Sequence, residues 1–270
     1  MKKIAILFIS ILAITSCQDV IELDLNNADP KLVVDARLEL NSDDTTTATV
    51  LLTRSARFDQ ETIDVVDNAL VTITDGSSTI HTFNLESNGF YTNNTITATP
   101  GETYVLNIID GSDTFRATQT FVPTVPFNRV EQETVSGFGG DVTRLTGFFD
   151  DPAGEPNFYL FSYEDPETFE IDTGNDEFAD GNEAITVFFL DDDVEAGTDV
   201  ELTIRGLDSR GFQFYQTLIQ QTADGGGGPF DTQPATVRGN IVNTADASDF
   251  AFGYFKVTQV FEITYTFVEQ

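Results

Sequence analysis

The chain has 270 residues with 45 acidic and 13 basic side chains, which gives a formal net charge of −32 at neutral pH. A surface this acidic repels phosphate backbones and anionic lipid headgroups, so the composition argues against nucleic-acid binding and against electrostatic attachment to a membrane. The 24 Phe and 7 Tyr residues supply enough apolar surface for a folded core, and they argue against a disordered chain.

The first predicted element is a secretion signal at residues 1–16. Two lysines precede a short apolar run that ends at Ile14, which is the layout of a signal peptide and is too short to cross a bilayer as a helix. The sequence ITSC at residues 14–17 resembles a lipobox, and Cys17 is the only cysteine of the chain. We therefore predict that Cys17 is lipidated and that its acyl chains attach the protein to a membrane. The alternative is an ordinary signal peptide followed by an unrelated cysteine.

Residues 17–30 are polar and acidic, and we interpret them as a tether between the lipid and the first domain. From residue 31 to residue 125, short stretches of alternating apolar and polar residues are separated by turn signals such as Asn88-Gly89 and Pro100-Gly101. This spacing, without a helical period between the stretches, predicts an N-terminal antiparallel Ig-like β-sandwich.

Residues 126–270 predict a second β-rich domain. The apolar stretches 185–190, 200–207 and 257–268 have the character of strands, and the acidic segment Asp165 to Glu183 is expected to be an exposed loop. In residues 209–222, apolar side chains recur at helical spacing, which predicts one amphipathic helix. The expected fold is therefore all-β with a single helix.

Several motifs in a fixed order resemble one family, the Bacteroidetes lipoproteins grouped as domain-of-unknown-function family 4249 (DUF4249). Besides the lipobox with its acidic tether, the motifs are KLVV at residues 31–34, ALVTI at 69–73, NGFY at 88–91, PGETYVL at 100–106, DPAGEPNFY at 151–159, FQFYQTL at 212–218, GPF at 228–230, GN at 239–240 and FGYF at 252–255. The resemblance implies a lipid-anchored protein of the outer membrane that assists a TonB-dependent transporter, because members are often encoded beside such transporters. Whether it faces the periplasm or the cell surface stays open. An acidic residue soon after Cys17 resembles a surface-export signal and slightly favours the surface.

Calcium is the one metal for which the sequence offers candidate ligands. Asp172, Asp176, Asp180 and Glu183 lie in acidic, turn-rich stretches and could supply oxygen ligands. Neither stretch reproduces the spacing of a helix-flanked calcium loop, so a solvated acidic loop is the favoured alternative.

The usual catalytic constellations are missing from the sequence. His81 is the only histidine and is expected to be a polar strand residue rather than part of a triad or a zinc site. Two carboxylates held about 5–9 Å apart could hydrolyse a glycosidic bond, but no spacing in the sequence identifies such a pair.

Two other features have structural interpretations. The run Gly225 to Gly228 lacks the Lys and Ser or Thr of a phosphate-binding loop, so we interpret it as a flexible connector. The aromatic residues Phe250, Phe252, Tyr254 and Phe255 are expected to be core, or a partner surface if two of the rings are exposed.

The sequence thus leaves two functional hypotheses. The favoured one is a non-enzymatic lipoprotein anchored to the outer membrane, an accessory or ligand-binding partner of a TonB-dependent transporter in nutrient uptake. The alternative is a secreted hydrolase that uses an acid pair on glycans.

Overall fold

The computed structural model describes residues 29–56, 60, 62–137, 140–190, 194–222 and 236–269. The predicted signal, Cys17, nearly all of the tether and the glycine run at 225–228 lie outside the described residues. The described residues form sixteen β-strands and one α-helix, α1 (Ser209–Thr222). In chain order the strands are β1 (Leu32–Leu40), β2 (Thr46–Arg54), β3 (Leu70–Thr74), β4 (Ile80–Thr82), β5 (Asn84–Ser87), β6 (Phe90–Thr92), β7 (Thr103–Asp110), β8 (Asp113–Thr120), β9 (Phe127–Gly137), β10 (Gly140–Asp150), β11 (Phe158–Glu164), β12 (Phe169–Asn175), β13 (Glu183–Leu190), β14 (Asp199–Leu207), β15 (Val242–Asn243) and β16 (Phe252–Thr266).

One long sheet runs through the molecule. Its eight strands follow the order β12-β11-β14-β16-β1-β2-β6-β5. The last strand, β16, lies in the centre, where it pairs antiparallel with β14 and parallel with β1. The two ends of the described chain are therefore joined by backbone hydrogen bonds.

Two smaller sheets cover one face of the long sheet. The five-stranded sheet β15-β8-β7-β3-β4 packs over the β1 half, and a first core forms around Val34, Leu38, Ile73 and Leu106. The three-stranded sheet β13-β10-β9 packs over the β14 half, where a second core contains many aromatic rings. Alternate residues of each long-sheet strand point into these cores, because successive side chains of a strand face opposite sides.

The opposite face of the long sheet carries α1. The helix contacts β11, β12, β14 and β16, and its buried residues Gly211, Phe214 and Tyr215 pack against Leu160 and Tyr254. The helix that the described residues form is not long and apolar enough to cross a bilayer.

The predicted fold class is confirmed: the described residues form an all-β fold with sandwiched sheets and one helix. The helix occupies the residues that its apolar spacing indicated. One pairing departs from the antiparallel expectation, since β1 and β16 run parallel. The division near residue 125 stays a prediction. The first core takes in Phe255 and Val257 of β16 in addition to residues 32–121.

The expectation of an exposed loop from Asp165 to Glu183 is wrong, because β12 lies inside it and pairs with β11. The acidic and turn-forming composition concealed this strand. Gly174 serves packing here. A Cβ at that position would stand 2.8 Å from the ring of Phe161, so the glycine lets this core ring lie against the strand.

Candidate binding site

A cavity of about 720 Å³ lies between α1 and the outer face of the long sheet. Its floor comes from strands β1, β16, β14, β11 and β12, and α1 forms one wall. Phe169, Ile171, Phe214, Leu218 and Phe252 provide apolar surface. Charged and polar side chains occupy the rest of the floor, so the cavity is amphipathic.

Strand alternation explains why charged residues line this face. In β1, Leu32, Val34, Ala36 and Leu38 enter the first core. Asp35 and Arg37 therefore point to the other side, towards the cavity. The same alternation in β16 places Lys256 on the cavity face between the core residues Phe255 and Val257.

One end of the cavity is basic. Arg37 and Lys256 are register partners on β1 and β16, and Asp35 lies between them. Asp35 accepts hydrogen bonds from Arg37, and its Oδ1 is 3.6 Å from the ammonium of Lys256. The Lys256 Nζ donates a hydrogen bond of 3.2 Å to the hydroxyl of Tyr215 on α1.

The charges at this end stabilise one another. Burial raises the pKa of the Asp35 carboxyl, but the Lys256 ammonium and the Arg37 guanidinium outweigh it and hold that pKa at about 2. Burial lowers the pKa of Lys256, but Tyr215 and the carboxylates of Asp35 and Glu39 outweigh this and raise it. Asp35 and Lys256 are therefore both charged at neutral pH.

The middle of the cavity floor is held by Arg205 on β14. Its Nε donates to Glu39 at 3.0 Å, and its second hydrogen bond of 3.1 Å goes to the hydroxyl of Ser162. Glu39 is only 5% exposed, so the pair is a largely buried ion pair. The pair joins β14 to β1 across β16, and removal of either partner would leave a buried charge.

The other end of the cavity is acidic. Glu164 and Glu201 are register partners on β11 and β14, and both line the cavity. Burial raises the pKa of Glu201, and the negative charges of Glu262 and Glu164 raise it further, against a smaller lowering by Arg205. The cavity floor is therefore bipolar, with lysine and arginine at one end and paired glutamates at the other.

Helix α1 is held over the cavity by its first turn. Asp208 caps the helix, since its Oδ1 accepts the backbone N–H of Gly211 at 2.8 Å, and the same oxygen accepts a hydrogen bond from the hydroxyl of Tyr254 at 2.6 Å. A Cβ on Gly211 would stand 2.9 Å from that oxygen, so a side chain would disturb the cap. The cap ties the helix to β16 and positions Phe214 and Tyr215.

A second tie joins residues 239–240 to β16. The buried amide of Asn240 donates to the carbonyl of Phe255 at 2.7 Å and accepts its N–H at 2.9 Å, as a neighbouring strand would. Gly239 and Gly253 cross so closely that a Cβ on Gly239 would meet the carbonyl oxygen of Gly253 at 1.6 Å. Gly253 itself has φ +100°, a conformation that favours glycine. The motifs GN and FGYF therefore shape the backbone beside Lys256.

The calcium candidates separate into two groups. Asp176 and Asp180 come together with Asp151, and one carboxylate oxygen from each lies within 4.8 Å of the other two. Among the described residues, these three carboxylates form the group that could hold a cation. Each also accepts hydrogen bonds from neighbouring residues: Asp151 from the hydroxyl of Tyr159 on β11 and the N–H of Gly181, Asp176 from the N–H of Asn157, and Asp180 from the N–H of Gly154.

The other two candidates do not join this cluster. Glu183 forms an ion pair with Arg129 on the three-stranded sheet. Asp172 lies on β12, where its carboxylate accepts the N–H of Thr173 and burial raises its pKa. Asp151 was missed because it belongs to a different turn, about 25 residues before the others in the chain.

His81 lies on β4, and its Nε2 is 3.0 Å from a carboxylate oxygen of Asp75. Asp75 also accepts the backbone N–H groups of Ser77 and Thr79, so the pair closes the β3–β4 turn. In the aromatic group, Tyr254 and Phe255 are buried, as a core interpretation requires. Phe252 lines the cavity and makes an edge contact with Phe250.

Sequence reasoning did not identify the cavity residues. Two signals were available: a lysine inside the apolar run of β16, and Asp35-Ala36-Arg37 inside the apolar alternation of β1. A charged residue in the middle of a central strand usually has a partner, and here the partners lie on other strands and on α1.

The family model described as Domain of unknown function (DUF4249) matches residues 18–264. No curated protein matches the chain. Among solved structures, a segment of two fibronectin type-III domains from chicken tenascin is 14% identical, covering 67% of this chain and 93% of that one with a TM-score of 0.21. The chicken interferon gamma receptor alpha chain is 10% identical, covering 67% and 89% with a TM-score of 0.20. Likenesses at these TM-scores do not bear on function.

Proposed function

This chain belongs to the family described as Domain of unknown function (DUF4249), and we propose that it is a non-enzymatic binding lipoprotein. In this proposal it is anchored to the outer membrane through Cys17 and assists a TonB-dependent transporter in nutrient uptake. The ligand occupies the cavity beneath α1.

The observation that carries the proposal is the cavity itself. Its volume of about 720 Å³ falls within the range of about 300–1,000 Å³ that is common for small-molecule sites. Apolar walls with a few converging charged groups are typical of a site that orients one ligand. The buried pair of Arg205 and Glu39 and the capped helix support a preformed site, which lowers the entropic cost of binding.

The lipid anchor supports the link to a transporter. An acylated Cys17 confines the protein to a thin layer at the membrane, which raises its effective concentration beside any membrane partner. Even a modest interface would then be occupied. The strongly acidic surface suits such a role, because it limits non-specific adhesion to anionic membranes.

The test is affinity purification of the tagged full-length protein from native membranes, with crosslinking and mass spectrometry. We expect a TonB-dependent transporter to co-purify, and native mass spectrometry of the same sample to reveal a bound small molecule. A Cys17→Ala variant is the control, since it should lose the transporter but keep a functional cavity. Absence of both transporter and bound molecule, with unchanged growth of a deletion strain on a broad nutrient panel, would contradict the proposal.

A second candidate function, a hydrolase acting on glycans, is favoured by one observation. Glu164 and Glu201 are directly opposite each other in the cavity, and the pKa of Glu201 is raised, as a general acid requires. The discriminating measurement is release of reducing sugar from a glycan panel by the wild type and by Glu201→Gln. If the wild type releases reducing sugar and Glu201→Gln does not, the enzymatic role would replace the binding role.

A further inference from the structure

We propose that the cavity binds a short peptide with free termini, its carboxylate at Arg37 and Lys256 and its ammonium at Glu164 and Glu201. This inference rests on the proposed binding function and names the ligand class for the same site. It follows from the distribution of charge along the cavity floor.

The basic end is unusual for this chain. Ten of the described residues are lysine or arginine, and three of them line this one cavity although the whole chain carries a net charge of −32. Lys256 is only 5% exposed. Its hydrogen bond among the described residues goes to the hydroxyl of Tyr215, whereas an ammonium can donate three.

Arg37 and Lys256 also share one carboxylate. Asp35 is hydrogen-bonded to Arg37, and its oxygen is 3.6 Å from Lys256, beyond an ordinary hydrogen bond. Glu39 is paired with Arg205, so Asp35 is the carboxylate that contacts these two opposed cations, and a second anion would complete their pairing. The carboxylate of a peptide C-terminus has the charge and the acceptor oxygens for this position.

The acidic end requires the opposite charge. Like charges directly opposite on neighbouring strands destabilise a sheet, and the carboxylates of Glu164 and Glu201 are so placed, with Glu262 nearby. Burial raises the pKa of Glu201, and the repulsion from its neighbours raises it further. A terminal ammonium would relieve this repulsion, and three donors suit two carboxylates.

The cavity is also long enough for an extended chain. Glu201 pairs with Thr264, which is eight residues beyond Lys256 on β16, at most about 26 Å at the usual rise of a β-strand. A peptide of up to about eight residues can span this distance. Between the two ends, Ser162 and Thr203 lie in the floor of the cavity, and Phe169 and Leu218 offer apolar contacts to side chains.

Ligands with a single charge satisfy only half of the site. A long-chain carboxylate would leave Glu164 and Glu201 opposed, and an apolar amine would leave the basic end unoccupied. The six charged side chains of the cavity are three acids and three bases, so a zwitterion also leaves the site neutral. Each end of the cavity repels the terminus that carries its own charge, and this repulsion sets the direction of binding.

The experiment measures the affinity of the purified mature chain, residues 17–270 with Cys17→Ser, for an octapeptide of alanine and leucine. Four forms of the peptide are compared by calorimetry: free, N-acetylated, C-amidated and doubly blocked. We expect each single block to weaken binding by about tenfold or more. The same four peptides are then titrated into Lys256→Met and Glu201→Gln, with Lys31→Met and Glu155→Gln as controls outside the cavity.

The variants separate ligand contact from a structural role. In Lys256→Met, amidation should no longer weaken binding, whereas acetylation should still do so; Glu201→Gln should show the reverse. A purely structural effect would lower all four affinities together. If circular dichroism shows that Lys256→Met is unfolded, Arg37→Gln replaces it in the same comparison.

Two results would overturn the inference. Equal affinity for all four peptides would exclude recognition of the termini but leave a binding function in place. If no form of the peptide binds measurably, and the protein from native membranes carries a non-peptide molecule, the cavity would be assigned to another ligand class. The proposed function itself would fail only if the native protein also lacked a bound molecule and a transporter.

Discussion

Replacement of Asn240 by alanine should destabilise the protein by about 3 kcal/mol. The Asn240 side chain is 7% exposed and supplies a donor and an acceptor to Phe255, whose side chain is fully buried in the first core. β14 pairs with β16 only from Val260 onwards, so at Phe255 the amide takes the place of a neighbouring strand. Alanine would leave one N–H and one C=O unsatisfied, at about 1–3 kcal/mol each.

The assay is equilibrium urea unfolding of residues 17–270 with Cys17→Ser. Unfolding is monitored by circular dichroism and by tyrosine fluorescence, since the chain has no tryptophan. The midpoint should fall while the m-value stays constant, because the surface exposed on unfolding is nearly unchanged. Asn94→Ala is the matched control, since Asn94 is exposed and should change stability by no more than about 0.5 kcal/mol. A loss below about 1 kcal/mol for Asn240→Ala would refute the reasoning that Asn240 completes the hydrogen bonds of β16.

Four further predictions concern other parts of the molecule. Gly253→Ala should cost at least about 3 kcal/mol in urea unfolding, because its Cβ would stand 1.8 Å from the carbonyl oxygen of Val34 at a φ of +100°; a loss similar to that of a surface substitution would contradict this. The folded-state pKa of Asp35 is about 2, below its usual 3.8, so its contribution is present above pH 4 and is lost between pH 4 and 2. Since the side chain is 36% exposed, Asp35→Asn should cost only about 1 kcal/mol at pH 7 and progressively less as the pH falls from about 4 through about 2, and a pH-independent loss would argue against the charge effect. Calcium at about 1 mM should raise the melting temperature of the wild type more than that of Asp180→Asn, and equal shifts would mean that the three clustered carboxylates do not bind it. Cys17→Ala should release the protein from membranes or leave the precursor uncut, as fractionation with a precursor-size blot would show; a processed, membrane-bound variant would exclude the lipoprotein interpretation.

Local sequence patterns were sufficient for most of the secondary structure. Asn88 and Gly89 both have positive φ in the turn before β6, as the hairpin signal predicted. Apolar spacing identified α1, because a helix buries one face at a period that can be read from the sequence. The same approach missed β12, because its acidic residues and Gly174 are typical of a loop. Only the pairing with β11 and the contact of Gly174 with Phe161 explain why this segment is a strand.

The candidate site shows where sequence reasoning stops. Asp176 and Asp180 could be paired from their spacing in one turn, but Asp151 joins them only after the loops fold together. The cavity residues are more widely separated still, since Arg37 and Lys256 become register partners across more than 200 residues. No periodicity in the sequence reports such a pairing.

The sequence alone therefore determined the features that depend on neighbours in the chain: the Asn88-Gly89 turn, the helix and the all-β class. The signal and the lipobox, which lie outside the described residues, stay predictions. Only the tertiary structure decided the parallel pairing of β1 with β16, the position of β12 and the bipolar cavity beneath α1. The physical reason is that strand order is set by burial of two apolar faces at once. A strand shows its own alternation, but its neighbours are chosen by the packing of the whole sheet.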